Sequence, residues 1–243
     1  MAISRDTSFT WLGHAGVQIA TPGGATVLVD PWFGNPRSPY PEPQQQRCDV
    51  LLPTHGHFDH FDADTLTLAR RLRPTMPCVH EMSLYLNGEL GEEAGVEVIG
   101  MNAGGTVATH GIRVSMVGAS HSSGDLMGGQ AVRYFGSPVG FVLELENGFR
   151  VYDAGDTELF GDMALIREMY APDLAILPIG GHYTMDPEAG ARAVGLLGVR
   201  HVLPVHWGTF PILAGTPDAL RAACEQRGLD VEVHGWSPGD MVD

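Results

Sequence analysis

The sequence predicts an α/β chain folded as an αββα four-layer sandwich, in which two β-sheets pack face to face with helices on the outside. Three observations carry that reading. Short apolar runs, each ended by turn residues, recur in clusters. Helices with marked starts are interspersed in both halves of the chain. The regular strand–helix alternation of a doubly wound parallel sheet is missing.

In order, Phe9 to Leu12, Val17 to Ala20, Thr26 to Val29 and Val50 to Pro53 read as strands, being rich in Val, Ile and Leu. Asp62 then precedes a helical segment, Ala63 to Arg73, with Leu66, Ala69 and Leu72 at helical spacing and Pro74 closing it. Val96 to Ile99, Ile112 to Val117, Phe141 to Leu145 and Arg150 to Tyr152 are strand-like and joined by glycine-rich turns. Leu159 to Met169 reads as a helix. Asp186-Pro187-Glu188 is an N-cap followed by proline at the first helical position, leading to a stop at Gly198. His201 to Val205 is an apolar strand, and Thr216-Pro217-Asp218 opens a last helix that ends at Gly228. Pro36 to Gln46 is a long loop suited to flank a site. With 243 residues, 44% of them hydrophobic, residues 1–243 are read as a single domain with a substantial core.

Composition excludes several chemistries. All 14 cations are arginine, so a lysine-bearing phosphate loop, Schiff-base catalysis and a lysine general base are ruled out. A formal charge of −15 without basic runs argues against a nucleic-acid partner. Cys48, Cys78 and Cys224 are widely separated with no C-x-x-C spacing, so they read as buried thiols rather than as disulfides or zinc ligands. No run reaches the ~18 apolar residues of a membrane helix, and the N-terminus shows no basic segment followed by an apolar one. A cytoplasmic protein without membrane attachment is expected.

The strongest signal is Thr54-His55-Gly56-His57-Phe58-Asp59-His60-Phe61-Asp62, directly after an apolar strand. In an extended segment His55, His57 and Asp59 fall on one side with period two, and the turn into the helix aims His60 inward. Imidazole and carboxylate are ligands for zinc, iron or manganese. One such cluster cannot close two metal shells. His121, Asp156 and His206 are the remaining candidates, each placed where an apolar strand gives way to a loop. Asp30, at a strand end, is read as an acceptor that orients a ligand histidine. His14 is a candidate for contact with substrate.

These residues resemble the signature of the metallo-β-lactamase superfamily, His-x-His-x-Asp-His followed by a later His, Asp and His. Trp11-Leu12-Gly13-His14-Ala15, Val29-Asp30-Pro31-Trp32, Ala154-Gly155-Asp156-Thr157 and Pro178-Ile179-Gly180-Gly181-His182-Tyr183-Thr184-Met185 further resemble predicted metal-dependent hydrolases related to the ascorbate-6-phosphate lactonases. The resemblance implies the metallo-β-lactamase type of sandwich, with two divalent metal ions, Zn2+ first and Mn2+ or Fe2+ as alternatives, at one edge between the sheets. It assigns His55, His57 and His121 to one ion, Asp59, His60 and His206 to the other, and Asp156 as the bridge. The implied activity is hydrolysis of a small ester, lactone or phosphodiester by a metal-bridging hydroxide that Asp59 orients, with His14 and His182 as further catalytic candidates.

The alternatives are a metal-dependent nuclease and a di-iron redox protein. The first sits badly with the negative charge, and the second leaves no room for a flavin-binding partner domain. The expected partner is a small molecule, with an anion among the candidates because two divalent ions add roughly four positive charges to the site. Arg5, Arg113 and Arg133 are candidates to clamp such an anion. No nucleic acid or membrane is expected, and relatives of this type imply a homo-oligomer.

Overall fold

The computed structural model describes residues 3–4, 6–40, 45–91, 94–126, 129 and 131–243. Arg5, residues 41–44 of the loop Pro36 to Gln46, and residues 127 and 128 lie outside the described residues.

The first sheet begins with a meander of β1 (Ser8–Gly13), β2 (Gly16–Ala20) and β3 (Thr26–Val29), and continues through β4 (Val50–Leu52), β5 (Thr75–Val79) and β6 (Glu97–Met101). Pairing is antiparallel from β1 to β3 and parallel from β3 to β6. The second sheet starts with β7 (Thr106–Thr109) and β8 (Ile112–Gly118). A two-stranded ribbon, β9 (Gly124–Asp125) with β10 (Arg133–Tyr134), then leaves the sheet. The sheet resumes with β11 (Val139–Glu144), β12 (Arg150–Asp153), β13 (Leu174–Pro178), β14 (His201–Val205) and β15 (Glu232–Val233), with parallel pairing from β12 onward. The chain ends with β16 (Met241–Val242), which returns to pair with β1 at the outer edge of the first sheet.

Among the described residues, five helices cover the outer faces: α1 (Ala63–Leu72), α2 (His80–Leu90), α3 (Met163–Tyr170), α4 (Pro187–Leu197) and α5 (Pro217–Gln226). The expected caps hold three of them. Asp62 accepts from the Thr65 amide at 2.9 Å, Asp186 from Ala189 at 2.8 Å, and Thr216 from Ala219 at 3.2 Å. Gly198 ends α4 at φ 65°, a left-handed conformation that glycine adopts without steric cost.

Two apolar layers result. One joins the facing sheets and α1 and α2 through Phe9, Trp11, Leu52, Met116, Phe141 and Ile176. The other fills the space between the second sheet and α3, α4 and α5, with Tyr152, Leu177 and Leu220 at its centre. All three cysteines are free and buried. Among the described residues, no helix is long and apolar enough to cross a membrane.

Local structure departs from the sequence reading in places. α2 carries no sequence start signal, because its N-cap is Val79, whose side chain makes no cap hydrogen bond. α3 begins at Met163 rather than Leu159, since Asp162 also supplies no side-chain cap and the preceding residues form a turn. The histidine-rich segment is not extended beyond β4. The amides of His60 and Phe61 both donate to the His57 carbonyl, at 3.0 and 2.9 Å, and close a tight turn.

Candidate metal centre

The turn decides the geometry of the site. By folding back on His57, it breaks up the single extended face, so the segment contributes to more than one donor group, with His55 also within reach of Asp30 and His60. Gly56 permits this, because a Cβ there would penetrate the ring of Phe135. His55, His57 and His121 bring one donor atom each within 4.8 Å of one another. His14, Asp59, His60 and His206 do the same. Asp156 lies between the groups: its Oδ2 is 3.0 Å from His206 Nε2, 3.2 Å from His60 Nε2 and 3.6 Å from His121 Nε2.

Every donor comes from one edge of the sandwich. His55 to His60 follow β4, His121 follows β8, Asp156 follows β12 and His206 follows β14, while His14 occupies the β1–β2 turn and Asp30 the end of β3. His14, Asp30 and His206 have φ values of 52°, 43° and 55°. Left-handed backbone at non-glycine residues costs of order 1–3 kcal/mol each and persists only where the surroundings enforce it. The His14 carbonyl is one such enforcement, accepting from the His206 amide at 2.8 Å and from the Trp11 indole at 2.9 Å.

Asp30 is 1% exposed and fixes the cluster from behind. Its carboxylate accepts from the Thr54 amide (2.8 Å), the Thr54 hydroxyl (2.6 Å) and His60 Nδ1–H (2.7 Å). That last bond orients the ring with Nε2 directed at Asp156 and the site. His14 spans Thr209 Oγ1 and Asp59 Oδ2, both at 2.9 Å.

Burial and neighbouring charges set the protonation of the donors. Burial drives the His55 imidazole far below its ordinary pKa, and burial also lowers His57 and His121. The His14 pKa falls to about 4 through burial and the charge of His206. Burial works to raise Asp59 and Asp156, yet neighbouring histidines, His60 for the former and His206 and His60 for the latter, hold both carboxyls well below the usual carboxylate range. Burial likewise opposes a charge on His60, but the surrounding carboxylates, Asp156 first, raise its pKa in the ion-free protein. Asp153, just behind, rises to about 8 through burial and the charge of Asp30.

A divalent cation fits these residues. His60 Nε2, which faces the cluster, and Asp156 Oδ1 are buried with no hydrogen-bond partner, an arrangement that is costly unless something else satisfies the atoms. Neutral imidazoles beside ionised carboxylates are the donor set of zinc, iron or manganese sites.

The structure places the other candidates as follows. His182 is exposed at φ 62°, packs edge-on against Tyr183 and does not line the site cavity; the turn presents Tyr183 there instead. Arg133 stacks over Tyr85, 4.7 Å from the ring centroid, and Arg113 lies along β8; neither lines the cavity. Thr54, Thr209, Phe58, Tyr183 and Phe210 were not singled out by sequence reasoning. Thr54 heads the histidine motif, Phe58 lies inside it and Tyr183 lies in the Gly-Gly-His-Tyr turn, whereas Thr209 and Phe210 carry no signal.

Comparison with known proteins identifies the family. A beta-lactamase superfamily domain model matches residues 25–207. A UPF0173 metal-dependent hydrolase of Rubrobacter xylanophilus is 44% identical over 238 residues, 97% of this chain and 96% of the relative. One from Chloroflexus aurantiacus is 43% identical over 243 residues, covering 99% and 98% of the two chains. Among solved structures, the metallo hydrolase Igni18 of Ignicoccus hospitalis superposes with a TM-score of 0.83 at 33% identity, covering 97% of each chain. The chain therefore belongs to the UPF0173 metal-dependent hydrolase family of the β-lactamase superfamily, and its two sheets and flanking helices form the metallo-β-lactamase fold.

Proposed function

We propose that this metal-dependent hydrolase uses two divalent ions, zinc being the first choice, to cleave a small ester, lactone or phosphodiester. The observation that carries the proposal is a single carboxylate, Asp156, within 3.6 Å of histidines from both donor groups. His55, His57 and His121 would hold one ion, Asp59, His60 and His206 the other, and Asp156 both. Ions held there would lower the pKa of water toward neutrality and polarise the bond under attack.

The chain's own groups prepare that chemistry. Asp59 stays ionised and therefore accepts hydrogen bonds, so it orients attacking water rather than donating a proton. His14 Nε2–H fixes the Asp59 carboxylate, and Thr209 anchors the opposite nitrogen of His14. Asp30 holds the His60 tautomer. His57 Nε2 is 3.3 Å from the Ser122 hydroxyl at the more open side of the cluster. The three cysteines are buried and none lines the cavity, so no thiol is placed to act as a nucleophile. The lactonase-like turn motifs put lactones among the candidate substrates.

A metal-reconstituted activity screen across lactones, thioesters, phosphomonoesters and phosphodiesters tests the reading. Turnover of at least one class that disappears with chelator and returns with metal is expected. Full metal loading with no hydrolysis of any class would contradict it.

A further inference from the structure

The cavity beside the donor cluster encloses about 580 Å³ and has two unlike ends. Its floor is the cluster itself. Its wall is apolar: Phe58, Tyr183, Phe210, Ile212 and Leu213. Phe58, Tyr183 and Ile212 leave 52%, 59% and 48% of their surfaces in water, although they come from three separate loops. Large apolar side chains that converge on one opening without packing together are the mark of a binding surface. Trp32 backs the wall, its ring 5.5 Å from that of Phe58 and 6.3 Å from that of Phe210.

The wall also lacks a cation. No arginine is among the described residues that line the cavity, and the chain has no lysine. Arg37 is committed elsewhere, stacked 4.9 Å from the Trp207 ring and donating to the Trp207 carbonyl at 3.1 Å. The charged residue on the wall apart from the cluster is Asp125, whose carboxylate accepts from the Phe58 amide at 3.1 Å. Asp30, Asp59 and Asp156 offset most of the charge that two divalent ions would bring. A phosphate or carboxylate on the far arm of a substrate would meet no charge-assisted donor there and would face Asp125.

We infer that the substrate is an uncharged carboxylic ester or lactone whose carbonyl lies at the cluster and whose apolar arm lies against Phe58, Tyr183 and Ile212. The inference rests on the hydrolase reading above and narrows its substrate class. In the reaction, the oxygen of water bonds to the carbonyl carbon and the bond from that carbon to the alcohol oxygen breaks. The alcohol leaves carrying one proton of the water, and the acid is released as a carboxylate with the other proton passing to solvent. No oxidant or second substrate is needed.

Binding of straight-chain alkyl hydroxamates from two to eight carbons to the zinc-reconstituted protein, measured by calorimetry, tests the arm separately from turnover. Affinity should rise roughly fourfold per methylene until the wall is covered, the fold-change equivalent to burying one methylene group. The Phe58→Ser, Ile212→Ser double variant, both positions being half exposed, should flatten that gradient. A six-carbon hydroxamate ending in a carboxylate should bind at least tenfold more weakly than hexanohydroxamate. A flat series, no binding of any member, or equal or tighter binding of the carboxylate-ended analogue would overturn the inference. The expected gradient without hydrolysis of p-nitrophenyl hexanoate or any other ester, lactone or phosphodiester would instead refute the hydrolase reading and leave the pocket assignment standing.

Discussion

Asp30→Asn is the most informative single change, because Asp30 touches no solvent and acts only through His60 and Thr54. Asparagine tolerates the left-handed backbone at φ 43°, so the turn is preserved. It nearly preserves the side-chain shape as well. What changes is hydrogen-bond polarity. The carboxylate takes three donors, at 2.6, 2.7 and 2.8 Å, while an amide offers one acceptor oxygen and a nitrogen that only donates. If the oxygen keeps Thr54, the amide nitrogen faces His60 Nδ1 and drives the ring proton to Nε2, the atom that should ligate. Outer-shell changes of this kind cost about 10–100-fold in metal affinity, or roughly 1.4–2.7 kcal/mol. A mispaired buried donor adds about 1–3 kcal/mol of lost stability in the ion-free protein.

Chelator competition should show the weakening most strongly at the ion held by His60, with a smaller effect on the other through Thr54, whose hydroxyl lies between Asp30 and His55 Nδ1. Urea denaturation of the chelated protein should show the stability loss. Affinity within twofold of the unsubstituted protein at both sites, in a folded variant, would refute the reasoning.

Other substitutions probe separate links. Asp59→Ala should reduce turnover below detection while far-UV circular dichroism stays unchanged, since Asp59 is a partly exposed turn residue; retained activity would remove its orienting role. Gly56→Ala places a methyl group in the Phe135 ring and should cost about 1–3 kcal/mol in urea denaturation, whereas an effect below about 0.5 kcal/mol would mean the turn has slack. Burial raises the thiols of Cys48 and Cys78 from 9.0 to about 12, so their contribution to stability is complete below pH 9 and lost as pH rises toward 12. By pH 10 the loss is about 1.4 kcal/mol per thiol. A Cys48→Ala, Cys78→Ala variant should lose correspondingly less stability than the parent between pH 8 and 10, and identical slopes would contradict the burial argument.

Much of the fold was legible because local chemistry marks it. Asp62, Asp186 and Thr216 each accept the backbone hydrogen bond that their sequence position announces. β4 and β14 could be read as apolar runs because both are almost wholly buried. α2 could not, since Val79 signals strand and its amphipathic pattern is weak. β7 also escaped notice, as an edge strand of alternating exposed and half-buried residues with little apolar content. In the site, donors were legible because His and Asp at strand ends are costly without a purpose. Their partition into two groups was legible only through the family resemblance, because physically it depends on two backbone hydrogen bonds to the His57 carbonyl. The substrate wall was invisible for a related reason. Phe58, Tyr183 and Ile212 lie far apart in the chain and meet only when three loops fold against the same edge.

Two donor groups sharing Asp156 should hold two ions, and the most direct measurement is the metal content of protein purified without chelator and then reconstituted with Zn2+, Mn2+ or Fe2+. Two ions per chain are predicted, falling to no more than one when Asp156 is replaced by Ala. Fewer than one bound ion per chain in the unsubstituted protein, with no gain on reconstitution, would contradict that arrangement.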